Sequence, residues 1–464
     1  MSAAEHFENV ILGGGAAGKL IAWDLAGAGQ RTAVIERGLI GGSCPNIACM
    51  PSKNVIHSAK VAEFLRHAAA FGQRAGPATT DMAGVRRRKR AMVEDMIAIH
   101  RTRFAANGLE FVLGEGRFIA PRTIEVRLAD GGTRRLEGER VFLDLGTHAM
   151  VPDIPGLAAA GPLTHVEALE LDRLPAHLVV LGGGYVGIEM AQAFRRFGSE
   201  VTVVQHGPQL LAREDPDVAE AIRRIFIEDG INMALEAEPI AVEGISGEKV
   251  RLRIATHDGE RVIEGSDLLV AAGRTPNTYG IGLDIAGVEL DPRGYVKVDA
   301  QLETTAPGVW AMGECAGSPQ FTHVAVDDFR VVRDRLAGQD RTTRERLIPY
   351  CVFIDPELAR VGLSEREAER QGIEARVARL PMSGVLRART IGATRGFMKA
   401  LIDPRSERIL GFAMLGAEAG EVVAVVQMAM LAGLRYTGLR DAILTHPTMA
   451  EGLNDLFANV NWEK

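Results

Sequence analysis

The sequence predicts an α/β protein built on two Rossmann-like nucleotide-binding domains. Two observations predict it. A G-x-G-x-x-G pattern occurs twice, beginning at Gly13 and at Gly182, and each copy lies between an apolar strand and a helix. Glycines at this spacing allow a tight turn and a close approach of the backbone to a pyrophosphate at the helix N-terminus. One copy alone is a weak signal, but two copies in full strand, helix and strand context favour nucleotide sites over flexible loops.

The first unit predicts a site for a dinucleotide with free ribose hydroxyls. A short apolar strand at residues 10–12 leads into Gly13, Gly15 and Gly18, and a helical run follows to about Gly29. A second strand at residues 32–35 ends at Glu36, whose carboxylate can accept hydrogen bonds from a ribose. We therefore expect these residues to bind the cofactor.

The second unit repeats this order. A strand at residues 178–181 leads into Gly182, Gly184 and Gly187, followed by a helix over 188–197 and a strand over 201–204. When the two units are aligned without a gap, Gln205 takes the position of Glu36. Between the units, turns at 130–132 and 137–138 predict an antiparallel meander that ends near residue 147.

Two cysteines predict redox chemistry. Cys44 and Cys49 follow Gly42 and Ser43 in a glycine-led turn that runs into a helix. A thiolate near a helix N-terminus is stabilised by the helix dipole and by free backbone N–H groups, which lowers its pKa. The pattern therefore indicates a redox-active pair rather than a structural disulfide.

Composition excludes several classes of protein. The net charge of −7 argues against a nucleic-acid partner, and we expect the basic run at residues 86–90 to be a solvated helix face. No apolar stretch is long enough to span a membrane, so the cytoplasm is the default location. Cys315 and Cys351 are expected to be ordinary interior residues, and no metal site is predicted.

Further motifs give the sequence a family resemblance. They are found at residues 272–277 (AGRTPN), 310–314 (WAMGE) and 446–451 (HPTMAE). Together with both fingerprints and the cysteine stretch, in this order, they resemble the flavoprotein disulfide reductases, which include glutathione reductase, dihydrolipoyl dehydrogenase and mercuric reductase. The resemblance covers nearly the whole chain.

The resemblance implies a division into four parts. They are an FAD-binding domain (1–155), an NAD(P)-binding domain (156–274), a central domain that completes the FAD site (275–340) and an α+β dimerisation domain (341–464). It also implies a homodimer.

The resemblance also implies roles for individual residues. Electrons pass from NAD(P)H to FAD, then to the disulfide and the substrate, with Cys49 facing the flavin and Cys44 exchanging with substrate. Lys53 beside the flavin pairs with Glu189, and Tyr185 covers the flavin until nicotinamide displaces it. Further flavin contacts are implied for Gly42, Ser43, Lys53, Gly146, Gly273, Arg274 and Glu314. Glu314 replaces the usual aspartate, which leaves the geometry of its ribityl contact open.

His446 and Glu451 are the predicted acid–base pair. Thiol–disulfide exchange needs a proton donor for the leaving thiolate, and an imidazole suits this role near neutral pH. From the sequence alone, Thr448 and Glu451 also fit a helix capping box without any catalytic role. The resemblance favours catalysis, with the histidine reaching the cysteine site of the other subunit.

Cofactor choice depends on Gln205. A carboxylate at this position would favour NADH by repelling a 2′-phosphate, and the sequence lacks one. His206 and Arg213 are positioned to meet a phosphate, so we expect NADPH rather than NADH.

Three functions remain open from the sequence. The leading prediction is an NAD(P)H-dependent reductase of a small disulfide or a metal ion, similar to the branch with mercuric reductase and the reactive-chlorine-resistance flavoproteins, some of which reduce copper(II). We expect no dedicated mercury relay, because no cysteine follows Cys351. The alternatives are a dihydrolipoyl dehydrogenase and a flavin-binding protein that acts by interaction alone.

Overall fold

A computed structural model gives the structure of residues 3–74, 76, 79–106 and 108–461. The strands are, in chain order, β1 (Glu5–Leu12), β2 (Thr32–Glu36), β3 (Glu110–Ala120), β4 (Thr123–Leu128), β5 (Thr133–Leu143), β6 (Thr147–Ala149), β7 (His177–Leu181), β8 (Glu200–Val204), β9 (Asn232–Ala234), β10 (Glu238–Ile245), β11 (Lys249–Thr256), β12 (Gly259–Gly265), β13 (Asp267–Val270), β14 (Arg274–Pro276), β15 (Val309–Ala311), β16 (Tyr350–Val352), β17 (Glu357–Gly362), β18 (Arg376–Pro381), β19 (Phe397–Ile402) and β20 (Ile409–Gly416).

The α-helices are, in chain order, α1 (Ala16–Gly27), α2 (Ser43–Asn46), α3 (Cys49–Arg66), α4 (Met82–Ala105), α5 (His165–Ala168), α6 (Tyr185–Phe197), α7 (Pro216–Glu228), α8 (Thr322–Leu336), α9 (Glu365–Arg370), α10 (Leu386–Thr390), α11 (Ala419–Leu431), α12 (Tyr436–Arg440) and α13 (Gly452–Ala458). Short 3₁₀ turns are formed by Ala68–Phe71, Gly313–Ala316 and Met382–Gly384.

The first glycine loop follows the central strand of a parallel sheet. β1 lies between β2 and β5, and β2 and β5 are flanked by β3 and β15, all in parallel. Both faces of the central strands are covered, so Ile11 and Val34 are fully buried and the strands are apolar without alternation. β4 pairs antiparallel with β3 and β5 and forms the predicted meander.

The second glycine loop follows the strand β7 of a smaller parallel sheet, ordered β13-β7-β8-β9. An antiparallel sheet of β10, β11 and β12 packs its apolar side chains against this sheet. A two-stranded link, β14 with β6, joins the end of this unit to the first sheet.

The C-terminal part has a different architecture. Its sheet, ordered β16-β17-β20-β19-β18, is antiparallel, with α11 packed on β17 and β20 and α13 on β18 and β19. The predicted fold class, two Rossmann-like domains with a C-terminal α+β domain, is confirmed, while the domain boundaries stay predictions. Within the described ranges, no helix is both long and apolar enough to cross a membrane.

One predicted turn is wrong. Glu137 and Gly138 lie in the middle of β5, where Glu137 pairs with Thr123 of β4 and with His6 of β1. The strand continues because it forms ladders on both sides at this position. Glycine at position 138 allows close packing, because a Cβ there would lie 2.7 Å from the carbonyl oxygen of Arg140.

The prediction that residues 86–90 form a solvated face is correct only in part: Arg87, Arg88 and Arg90 are exposed, Arg86 is half-buried and Lys89 is buried. Lys89 in α4 is only 1% exposed, and its ammonium forms an ion pair with Glu170 of the second nucleotide unit. Arg90 binds the same carboxylate, and Arg86 binds Asp172. The basic helix therefore holds the two nucleotide units together, because acidic residues distant in sequence supply its counter-charges.

A buried lysine joins the second nucleotide unit to the C-terminal sheet. Lys399 of β19 is 1% exposed, and its Nζ lies 2.7 Å from Asp215, 2.9 Å from Asp217 and 2.7 Å from Glu365. These three carboxylates are close enough together to suggest a cation site, and the lysine ammonium supplies the positive charge at that point.

Replacing this lysine should destabilise the protein. Lys399→Met leaves the buried Asp215 without its lysine counter-charge, while Asp217 keeps an ion pair with Arg379, and should cost about 3–5 kcal/mol in the free energy of unfolding. Lys297→Met is the control, because Lys297 forms an exposed pair with Glu289 and should leave the free energy of unfolding almost unchanged. Urea unfolding followed by circular dichroism measures both; equal effects of the two variants would contradict the prediction.

Candidate active site

The first glycine loop is pressed against the end of β5. Gly13 has a φ of +102°, and a Cβ on it would lie 2.2 Å from the carbonyl oxygen of Asp144. A Cβ on Gly18 would lie 2.2 Å from the carbonyl oxygen of Gly13, and one on Gly15 would lie 2.6 Å from the Asp144 carboxylate. Any side chain at these positions would move the loop away from the sheet and close the space beside the N-terminus of α1.

Glu36 is buried beside this loop. Its Oε2 accepts a hydrogen bond from the backbone N–H of Gly14 at 2.9 Å. Its Oε1 accepts bonds from the N–H groups of Gly38 and Leu39, at 2.9 and 3.0 Å. The carboxylate is thus fixed at the end of β2, where a ribose bound to the loop would meet it.

Asp144 is a site residue that the sequence analysis missed. Its side chain is buried, and its Oδ2 accepts a hydrogen bond from the N–H of Gly18 at 2.7 Å. Burial raises the pKa of this carboxyl to about 7. No local pattern indicates it, because Gly18 lies 126 residues earlier in the chain.

A cavity of about 870 Å³ lies beside the glycine loop and reaches Cys44. This volume is in the range of cofactor sites. Predicted site residues that line it are Gly13, Gly15, Glu36, Gly42, Ser43, Cys44, Gly146, Arg274 and Glu314, whereas Cys49 and Lys53 do not border it. An elongated dinucleotide such as FAD fits this cavity.

The cysteine segment packs directly on the glycine loop. Gly42, at a φ of +83°, is so close that a Cβ would lie 2.5 Å from the Cα of Gly15. The next residues form the short helix α2 with half-buried Cys44, and α3 then begins at the exposed Cys49. Cys49 therefore lies at the N-terminus of an 18-residue helix.

The two thiols share one hydrogen bond and differ in acidity. The bond from Cys44 lowers the pKa of Cys49 to about 6, and it raises the pKa of Cys44 above its ordinary value. The hydroxyl of Thr322, 3.3 Å from the Cys49 sulfur, and the charge of Lys53 favour the thiolate further. In the reduced pair, both effects favour Cys49 as the thiolate and Cys44 as the thiol that donates to it.

Lys53 and Glu189 meet as the resemblance implies. Lys53 Nζ lies 2.7 Å from Glu189 Oε2 and 4.7 Å from the centre of the Phe353 ring. Glu189 is buried, and its other oxygen accepts a bond from the N–H of Phe353 at 2.8 Å. One turn after Cys49, α3 is thus joined to α6 of the second nucleotide unit.

The second loop repeats the geometry of the first. Gly182 has a φ of +115°, and a Cβ on Gly187 would lie 2.0 Å from the Gly182 carbonyl oxygen, whereas Gly184 faces open space. Gln205 Oε1 accepts a hydrogen bond from the N–H of Gly183 at 2.8 Å. This is the bond that Glu36 makes in the first unit, so the amide stands in the place of that carboxylate.

His206 is exposed, and its Nδ1 pairs with the carboxylate of Glu238 at the start of β10. Arg213 is exposed as well. The sequence analysis missed Glu238, because strand pairing rather than local sequence brings it to the end of β8. The acid lowers the positive charge that a 2′-phosphate would meet.

Tyr185 begins α6, and its ring stacks on Tyr350 and Phe321 from later parts of the chain. Its hydroxyl donates to Glu214 Oε1 at 3.4 Å. Burial and the Glu214 charge raise the pKa of Tyr185 to about 12. The sequence analysis missed Tyr350 and Glu214, because neither lies in a recognisable motif.

Glu314, in a 3₁₀ turn, binds the hydroxyl of Thr147 and the guanidinium of Arg274. Arg274 Nη2 also donates to the carbonyl oxygen of Thr147 at 2.9 Å. Gly146 and Gly273, with φ of +64° and +136°, allow the turns on either side. The longer side chain of glutamate is therefore used for contacts within the protein at the cavity wall.

His446 and Glu451 form the predicted pair. His446 Nδ1 lies 2.8 Å from Glu451 Oε1 and 3.0 Å from Oε2, and the histidine side chain is 62% exposed. The Thr448 hydroxyl accepts a bond from the N–H of Glu451, as in a capping box, but the carboxylate binds the imidazole. Among the described residues, no hydrogen bond or ion pair joins this pair to either cysteine of the same chain.

The structure combines a nucleotide-binding glycine loop, a nearby pair of thiols that differ in acidity, and a second nucleotide-binding loop. This combination defines a flavin- and NAD(P)H-dependent disulfide oxidoreductase. The family model described as pyridine nucleotide-disulphide oxidoreductase matches residues 7–328, and that of its dimerisation domain matches residues 348–457. The chain belongs to this family. The predicted FAD and NAD(P)H cofactors are confirmed at the level of the family, and the C-terminal part is a dimerisation domain.

Similar proteins support the predicted branch. The chain is 37% identical to the probable pyridine nucleotide-disulfide oxidoreductase RclA of Escherichia coli, over 98% of this chain and 99% of that protein. It is 31% identical to mercuric reductase of Bacillus cereus, over 96% of this chain and 70% of the relative. It is 32% identical to dihydrolipoamide dehydrogenase of Chaetomium thermophilum, over 96% of this chain and 89% of the relative.

A solved structure agrees with these matches. The Cu(II) complex of HOCl-induced flavoprotein disulfide reductase RclA from Escherichia coli has a TM-score of 0.90 at 36% identity, covering 98% of this chain and 100% of that one. The leading prediction, a flavoprotein disulfide reductase, is confirmed in preference to the dihydrolipoyl dehydrogenase and interaction-protein alternatives. The chain is an enzyme.

The acidity of Cys49 predicts a pH dependence. In the two-electron-reduced enzyme, the long-wavelength absorbance of a thiolate beside the flavin should be present above about pH 6 and be lost below it, because the pKa of Cys49 is lowered to about 6. Cys44→Ala removes the thiol donor and should move the midpoint upward; because this variant has no disulfide to reduce, its band is measured with the flavin oxidised, before any reductant is added. Cys315→Ala, a buried thiol that bonds the Met312 carbonyl, is the control. An unchanged midpoint in Cys44→Ala would contradict the proposed hydrogen bond.

Proposed function

We propose that the enzyme carries electrons from NADPH through a Cys44–Cys49 disulfide to a small disulfide or a metal ion. The observation that supports this most directly is the asymmetric thiol pair at the end of the cavity. FAD, when bound, accepts a hydride from NAD(P)H and delivers two electrons to a disulfide. Side chains of the protein carry out the other steps.

The cavity residues are suited to hold FAD. The N–H groups at the start of α1 favour a pyrophosphate, and Glu36 is placed to accept bonds from a ribose. Arg274 and Glu314, already fixed by Thr147, would border the ribityl part, while Lys53 lies on the thiol side. Gly42 and Ser43 allow the cysteine segment to approach closely.

The thiol step follows from the difference in acidity. The Cys44 thiol gives its proton to the partner subunit's His446, and the Cys44 sulfur attacks one sulfur of the substrate disulfide. The substrate bond breaks, and the first leaving thiolate takes that proton back from the imidazolium. The Cys49 thiolate then attacks Cys44, which releases the second thiolate and restores the protein disulfide. Two electrons have passed to the substrate.

Glu451 orients the imidazole for this exchange. Its bond to Nδ1 fixes the orientation of the ring and leaves Nε2 free. The exposed position of His446, with no link to the cysteines of its own chain among the described residues, favours action across the dimer. The enzyme is then active as a homodimer.

The substrate proposal rests on chemistry and on relatives. A Cys49 thiolate and a Cys44 thiol offer two soft sulfur ligands, which suit copper or mercury ions as well as thiol exchange. Relatives are named mercuric reductase, and a similar structure is a Cu(II) complex. The reduced pair holds the electrons for two copper(II) ions or one mercury(II) ion. The cytoplasmic location stays a prediction, which cell fractionation would test.

A panel of oxidants tests the substrate class. The enzyme is reduced anaerobically with NADPH and mixed with glutathione disulfide, lipoamide, copper(II), mercury(II) or a quinone. We expect oxidation by a disulfide or by a metal ion, and loss of this activity in Cys44→Ser. Rapid NAD-dependent oxidation of dihydrolipoamide would instead restore the dihydrolipoyl dehydrogenase alternative.

Mixed dimers test the role of His446. His446→Ala and Cys44→Ser should each abolish disulfide turnover while NADPH still reduces the flavin. Dimers re-formed from an equal mixture should recover about a quarter of wild-type turnover, because half of the dimers are mixed and each has one complete site. No recovery, with dimer exchange verified by mass, would contradict catalysis across the interface.

Gln205 tests the nucleotide choice. We expect a higher kcat/KM for NADPH than for NADH, because the amide does not repel a 2′-phosphate. Gln205→Glu should reverse this preference by about tenfold or more, since it adds a charge beside the phosphate. Gln209→Glu, on the same loop, is the control. Faster turnover with NADH in the unaltered enzyme at equal low concentration would contradict the proposed preference.

A further inference from the structure

Three aromatic rings from distant parts of the chain meet beside the cavity. The ring centres of Tyr350 and Phe321 lie 5.6 Å apart with planes at 6°. Tyr185 lies 5.7 Å from Tyr350 and 6.4 Å from Phe321, at 29° and 25°. These distances are typical of stacked pairs. We refer to Tyr185, Phe321 and Tyr350 as the aromatic triad.

Tyr350 is fixed by contacts with Glu214 and Arg360. Its hydroxyl donates to Glu214 Oε1 at 2.6 Å, and Glu214 is only 1% exposed. Arg360 lies 3.5 Å from the other Glu214 oxygen and 5.8 Å from the Tyr350 ring centre. A hydrogen bond to a buried, charged acceptor is among the strong ones, so Tyr350 is a fixed surface.

Tyr185 is held more loosely, and its ring lies outside the cavity. Its hydroxyl reaches the same Glu214 oxygen only at 3.4 Å. Phe321 is among the described residues that line the cavity, whereas Tyr185 is not. The Tyr185 ring is thus packed on Tyr350 and Phe321 and does not border the cavity.

We propose that Tyr350, fixed by Glu214, is a positioning residue that receives the Tyr185 ring when it moves aside for the nicotinamide. The inference rests on the proposed function and on the role that the family resemblance implies for Tyr185, which covers the flavin until nicotinamide displaces it. When a ligand can bind only while a side chain is in one of its two positions, it binds more tightly if that position is stabilised. Stacking on Tyr350 thus strengthens NADPH binding without any contact to NADPH.

Binding measurements test the proposal. Tyr350→Leu removes the stacking surface and should raise the Kd of NADPH about three- to tenfold, the range expected for a lost aromatic pair. The limiting rate of flavin reduction in anaerobic rapid mixing should stay unchanged. Tyr350→Phe keeps the ring and should have a smaller effect. The Kd of 2′-phospho-ADP-ribose, which has no nicotinamide, should not change in either variant.

A double variant shows whether the effect passes through Tyr185. In a Tyr185→Ala background, Tyr350→Leu should leave the Kd of NADPH unchanged, because no ring remains to be received. Equal effects in both backgrounds, a lower Kd in Tyr350→Leu, or parallel loss of 2′-phospho-ADP-ribose binding would each overturn the inference. Thermal unfolding verifies that the variants fold. Failure of NADPH or NADH to reduce the flavin of the unaltered enzyme would refute the proposed function instead.

Discussion

The ion pair between Lys53 and Glu189 is the constraint on which the site depends. It joins the helix that begins at Cys49 to the helix that begins at Tyr185, so the thiol side and the nicotinamide side of the cavity keep one fixed relation. Because Glu189 is buried, either charge alone would be costly there, and the two helices are stable only together. The backbone N–H of Phe353 on the same carboxylate extends this joint to the C-terminal part.

The helix that this ion pair anchors also explains why the two thiols differ in acidity. Cys49 lies at a helix N-terminus with Lys53 one turn further on, whereas Cys44 lies in a short helix before it. Their shared hydrogen bond lowers the pKa of Cys49 and raises that of Cys44. This difference in position and acidity supports the proposed division of roles, in which Cys49 faces the flavin and Cys44 exchanges with substrate.

Local sequence patterns predicted the two nucleotide units, because each glycine fingerprint lies in a continuous strand, loop and helix, whereas the C-terminal domain and the Lys53–Glu189 and His446–Glu451 pairs came from the family resemblance. Gln205 could be matched to Glu36 for the same reason. The predictions that were wrong concerned residues whose partners are distant in sequence. Lys89 is neutralised by Glu170, and β5 continues through Gly138 because it pairs with strands on both sides. Asp144, Glu214, Glu238 and Tyr350 carry no motif, and only the folded chain brings them to the nucleotide loops.

The lysine buried at the C-terminal sheet also limits how the enzyme can move. Lys399 binds carboxylates of the second nucleotide unit, and Arg196 and Arg395 add ion pairs to Asp355 and Asp229 across the same boundary. These ion pairs hold the second nucleotide unit against the C-terminal sheet and oppose a hinge movement at this boundary. The proposed movement of Tyr185 needs no such hinge, because one side chain can change its rotamer without the microsecond-to-millisecond closure of a domain.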